Sequence, residues 1–174
     1  MRSSRLGSYG DEMDLHPDLT DLLGAFSSSS VEYLVVGGWA VSVHSKPRFT
    51  KDLDLLIGPS PDNLERAARA LQLFGAPESI VDQARALGPD EFLFFGTPPA
   101  RVDLLRSIPG VSFEEAFARR LDVEWAGKVV HVIAKEDLIA AGRERDLRDL
   151  LRGARARRLS SSAAPVEVGA LGMW

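Results

Sequence analysis

Two aspartates one residue apart, Asp52 and Asp54, lead into the apolar run Leu55-Leu56-Ile57. On a strand, alternate side chains share a face. Leu53, Leu55 and Ile57 then point one way, and Asp52, Asp54 and Leu56 the other. The two carboxylates stand about 6–7 Å apart along such a strand. Anions this close repel, and each raises the other's pKa unless a cation lies between them. Mg2+ takes hard oxygen ligands, commonly one or two carboxylates together with substrate phosphates. The pair is therefore placed to hold a metal for phosphoryl transfer. The competing reading of an isolated Asp-x-Asp is a strand end solvated by two charges, and the surrounding motifs must decide between them.

Two further features bear on that choice. Gly37-Gly38 closes the apolar run Tyr33-Leu34-Val35-Val36, fourteen residues before Asp52. A glycine pair at a strand-to-helix junction lets the backbone approach a ligand and leaves the first helical N–H groups to meet phosphate. A tight turn packed against a neighbour explains the same pair equally well. Asp103 sits within Arg101-Val102-Asp103-Leu104-Leu105, with Val102 and Leu104 on the apolar face. It suits a third metal ligand, or a base that takes the proton of an attacking hydroxyl. An ion pair with Arg101 or Arg106 accounts for it as well.

The elements that must position these groups are readable from periodicity and breakers. Residues 17–26 suggest a short helix and 27–30 a loop. Tyr33–Val36 reads as a buried strand, Trp39–His44 as a short helix ended by Pro47, and Leu53–Ile57 as a second strand. Ser60-Pro61 is an N-cap followed by proline at the first helical position, and Leu64, Ala67, Ala68 and Leu71 give that helix its apolar face. A helix over 78–87 follows. Phe92–Phe95 and Arg101–Leu105 form a hairpin, as do Val123–Trp125 and Val129–Ile133 around Ala126-Gly127-Lys128. Phe113–Leu121 is a helix between the hairpins, and 135–151 a final one with Leu147, Leu150 and Leu151 inward. The expected fold is α+β, a mixed sheet with helices packed mainly on one face.

With 174 residues, the chain suits one domain over 17–152, preceded by a flexible segment, 1–16, and followed by a loosely ordered tail, 153–174, in which Met173 and Trp174 have room to dock. The net charge of −4 argues against a general nucleic-acid binder. The absence of cysteine excludes disulfides and thiolate metal sites and fits a reducing compartment. The first residues lack the apolar core of a secretory signal, and no apolar run approaches the ~18 residues of a membrane span. A soluble cytoplasmic protein is expected.

Three carboxylates, a glycine pair and this element order resemble the polymerase-β-like nucleotidyltransferase superfamily, in particular its small prokaryotic branch of minimal nucleotidyltransferases and AbiEii-type toxins. The likeness runs from about residue 18 to about residue 152 and is carried by "PRFTKDLDLLI", "RVDLLRSIPGVSFEEAFARR" and "RERDLRDL". It implies a nucleoside triphosphate donor with Mg2+ or Mn2+ as cofactor. By the same resemblance, Gly37 and Gly38 would line the triphosphate, Asp52 and Asp54 would ligate two metals, and Asp103 would ligate the catalytic one and help activate the acceptor hydroxyl. The implied reaction transfers a nucleoside monophosphate to an RNA end, a protein hydroxyl or a small molecule, releasing pyrophosphate. It also implies a toxin role under an antitoxin partner, and a homodimer would complete a cleft that so short a chain leaves open.

The chain departs from that family where related chains usually carry a lysine early in the last helix. Here "DLIAAGRERDLRDLL" runs directly into Gly142-Arg143, about one helical turn shorter. Arg143, Arg145 and Lys51 are the candidate substitutes. This departure favours an alternative reading, a non-catalytic nucleotide- or partner-binding protein of the same fold. Arg48 and Thr50, in the loop before the aspartates, fit the family's R-x-T pattern. They are the further nucleotide-binding candidates, Arg48 through bidentate phosphate contact or, in the plainer reading, as a loop brace. His44 reads as a partly buried helix residue. Residues 143–158 carry seven arginines against three acids. They form either a solvated helix face with pairs such as Glu144–Arg148 or a surface for an anionic partner.

Overall fold

The computed structural model describes residues 15–45 and 50–142. Arg48, the basic segment 143–158 with Arg143 and Arg145, the inward leucines 147, 150 and 151, and both termini lie outside the described residues.

Helix α1, Pro17–Ser28, starts with proline in its first turn and with the His16 ring accepting the Asp18 N–H at 3.3 Å. Its buried face is Leu19, Leu22, Leu23 and Phe26, the spacing of one amphipathic stripe. Strand β1, Tyr33–Val36, is buried at all four residues. Helix α2 covers Gly37–His44, so the two glycines form its first turn and the helix begins two residues earlier than the pattern suggested. Strand β2 is Asp52–Ile57. Helix α3, Pro61–Phe74, has the expected cap: Ser60 Oγ accepts the Asn63 N–H at 3.1 Å. Gly75 closes it at φ +93°, the left-handed conformation that suits glycine. Helix α4 follows at Glu78–Arg85.

Strands β3, Phe92–Phe95, and β4, Arg101–Leu105, pair antiparallel as the expected first hairpin. After α5, Phe113–Ala118, strands β5, Leu121–Trp125, and β6, Lys128–Val132, form the second. Ala126 and Gly127 turn between them with φ of +49° and +74°, the two left-handed positions a two-residue hairpin loop requires. Helix α6 is Lys135–Ala140. Gly142 lies at φ +95°, so the helix expected to run through 151 stops before it within the described residues.

Among the described residues, six strands form one mixed sheet ordered β3-β4-β2-β1-β6-β5. β1 is antiparallel to β2 and parallel to β6, and β2 is parallel to β4. The parallel β2–β4 pair needs a long crossover, which α3, α4 and β3 supply. α1 packs on α3 and α3 on α4, while α2 packs against β1, β2 and α6. The fold is α+β, with its core drawn from both the sheet and these helices. Among the described residues, no helix is long and apolar enough to cross a membrane.

One polar residue holds the helix layer to the sheet. Asn63, fully buried, accepts the Glu32 N–H through Oδ1 at 2.8 Å. Its amide nitrogen donates to the Glu32 and Gly58 carbonyls at 2.9 and 3.1 Å. The start of β1, the exit of β2 and the first turn of α3 are thereby fixed to one side chain.

Candidate functional site

The alternation of β2 is visible in its burial: Leu53 and Leu55 are buried, Asp52 and Asp54 half-buried. Residues opposed across a parallel pair share a face of the sheet. In the β2–β4 pairing Asp52 stands opposite Arg101, and Asp54 opposite Asp103. Paired strands lie about 4.8 Å apart. The carboxylates of Asp54 and Asp103, 49 residues apart in sequence, thus occupy adjacent positions on one face, with Phe94 of β3 opposite Asp103 on its other side.

Asp103 is only 7% exposed. Its charge is matched by Arg101, whose Nε donates to Oδ1 at 2.9 Å and whose Nη2 lies 3.3 Å from Oδ2. Of the two arginines considered as its partner, Arg101 is therefore the one that pairs. Arg106 instead donates to the main-chain carbonyls of Leu87 and Pro59, the latter at 3.0 Å. The Asp103 hydrogen bond raises the Arg101 pKa above its usual range, and the nearby charges of Asp103, Asp52 and Asp54 raise it further. The guanidinium thus pairs with Asp103 and lies within electrostatic reach of Asp52 and Asp54. It also lies over the Phe94 ring, 4.7 Å from the centroid, and that ring is half exposed on edge strand β3. Strand alternation already placed Arg101 and Asp103 on one face. Its service to the whole trio depends on the β2–β4 register, which no local pattern reveals.

Gly37 borders this cluster. It adopts φ +65°, and a Cβ there would lie 2.1 Å from Asp54 Oδ2 and 2.9 Å from Asp54 Cγ. The Asp54 carboxylate therefore fills the space that a side chain at residue 37 would need. Gly38 is buried, and its carbonyl accepts the Ser42 hydroxyl at 3.0 Å. His44, as expected, serves structure: its Nε2 lies 2.7 Å from the Ile133 carbonyl, joining α2 to the segment after β6. Thr50 is buried and its hydroxyl has no hydrogen-bond partner among the described residues. Lys51 is exposed.

Among the described residues, no three His, Asp or Glu side chains are gathered closely enough to hold a metal ion as they stand. The donor type nevertheless fits a hard divalent cation: half-buried and buried carboxylates on one face, one of them seated in a glycine cradle and another already paired with a cation. A separate cleft of about 490 Å3 is lined by Glu32, Pro59, Ser60, Phe113, Glu114 and Phe117, and none of the three aspartates borders it. No protein-family model matches the chain, and no curated protein matches it.

Proposed function

We propose that the chain is a metal-dependent nucleotidyltransferase of the polymerase-β-like fold. It would transfer a nucleoside monophosphate from a nucleoside triphosphate to a hydroxyl acceptor. The observation that carries this reading is the in-register placement of Asp54 opposite Asp103, with Asp52 on the same face. Asp52, Asp54 and Asp103 would hold Mg2+ or Mn2+, which when bound offsets the charge that develops on the phosphates. Asp103 would accept the proton of the acceptor hydroxyl as its oxygen attacks the α-phosphorus and the bond to pyrophosphate breaks. Gly37, by leaving room for Asp54, sets that carboxylate's position; Gly37 and Gly38 would also bring main chain close to the triphosphate. Positioning and charge neutralisation carry such chemistry, without a covalent enzyme intermediate. The acceptor would be an RNA end, a protein hydroxyl or a small molecule, and an antitoxin partner would restrain the activity.

A second reading has an observation of its own. The Arg101–Asp103 pair occupies a carboxylate that catalysis needs, and the family's helix lysine is missing. These favour a non-catalytic protein that binds a nucleotide or a partner. Incubation with each labelled nucleoside triphosphate, Mg2+ or Mn2+, and total RNA or lysate separates the two. Transfer lost in Asp52→Asn and Asp54→Asn supports the enzyme. Nucleotide binding without transfer by any form supports the alternative, and transfer retained in both variants refutes the metal assignment.

A further inference from the structure

We propose that Arg101 is an exchangeable counter-ion that makes the acid face take up a divalent cation together with a polyphosphate and exclude the bare ion. This deepens the nucleotidyl-transfer reading and rests on it for the metal site on the three aspartates and for which polyphosphate is bound. A buried carboxylate without a partner is costly, and Asp103 is the most buried of the three acids. Arg101 meets both of its oxygens, the same atoms a cation would use. It also stands opposite Asp52 across the strand pair. A divalent ion arriving alone must therefore compete with a resident positive charge and leave the guanidinium unpaired.

A metal–polyphosphate complex changes that balance. It brings anionic oxygens of its own, and the planar donor fork of arginine matches phosphate as well as carboxylate. Arg101 then exchanges Asp103 for phosphate with no net loss of paired charge. Phe94 supplies the pivot: the guanidinium rests over its ring, a contact that holds the cation while its hydrogen-bond partners change.

The test is Mn2+ binding to the nucleotide-free protein by electron paramagnetic resonance, with and without tripolyphosphate. Arg101→Gln is expected to bind Mn2+ alone about tenfold or more tightly than the parent, the size of one close charge contact. Adding Asp54→Asn should abolish that gain. With tripolyphosphate present the order should reverse, the parent holding the complex more tightly. Arg101→Lys keeps a charge without the fork; it should stay weak for Mn2+ alone yet lose the tripolyphosphate advantage. This variant keeps the proposal falsifiable if the glutamine variant does not fold. The proposal is overturned if Arg101→Gln gains no affinity for Mn2+ alone, or if Arg101→Lys matches the parent with tripolyphosphate. Because the probe is tripolyphosphate, a protein that transfers no nucleotide label can still pass or fail this test.

Discussion

The Asp54 carboxylate fills the space a side chain at Gly37 would occupy. The glycine is thus bound to the acid twice over, by its left-handed backbone and by the volume it leaves empty. Gly37→Ala is expected to cost about 1–2 kcal/mol of backbone strain, since an L-residue disfavours that conformation. It should also push the carboxylate off its position, and misplacement of a catalytic group by about 1 Å costs about 10²-fold in rate. Urea unfolding and label transfer measured on the same preparation check both parts. An alanine variant with parental transfer would show that the position of Asp54 is not critical.

Asn63 anchors three main-chain groups from two strands' ends. Asn63→Ala removes all three bonds, while the Glu32 carbonyl keeps the Gly58 N–H, a loss of about 3 kcal/mol at roughly 1 kcal/mol each. The site residues are not among its hydrogen-bond partners, so transfer per folded molecule should be unchanged. Chemical denaturation with activity normalised to the folded fraction tests this, and a loss under 1 kcal/mol would contradict it.

The Tyr33 hydroxyl is buried near the His131 main chain without a hydrogen bond of normal geometry. Burial pushes its pKa well above the usual phenol range, the neighbouring Asp122 charge acting in the same direction. The unfolded chain would lose this proton near pH ~10 while the folded protein keeps it. The unfolded state then binds fewer protons, so stability falls as pH rises past that point. Tyr33→Phe should flatten the decline above about pH 10 and, having lost no hydrogen bond, remain within about 1 kcal/mol of the parent at pH 7. Denaturation at the two pH values measures it; equal slopes for both proteins would refute it.

Local chemistry was legible wherever a short-range rule governs it. Ser60-Pro61 announced the start of α3, and the apolar runs announced the strands. The alternation around Asp52, Asp54 and Asp103 put each acid on the polar side of its own strand. Long-range pairing was not legible. Nothing near Asp54 in sequence says that β2 will lie parallel to β4 in the register that opposes it to Asp103, because that register is set by the packing of the whole sheet. Arg101 was recognisable as one of two partners for Asp103, but its reach to all three acids needs that same register. The anchoring role of Asn63 carries no local signal, because its partner Glu32 lies 31 positions away. Of the helix expected over 135–151, the described part is α6, which ends at Ala140 ahead of a left-handed Gly142; the remainder lies outside the described residues.

The most direct measurement is the location of Mn2+ by anomalous scattering in crystals grown with a non-hydrolysable nucleoside triphosphate. The account predicts a peak bonded to carboxylate oxygens of both Asp54 and Asp103, with Arg101 turned from Asp103 to phosphate. Bound nucleotide with no metal at these two aspartates, Arg101 still holding both Asp103 oxygens, would contradict it.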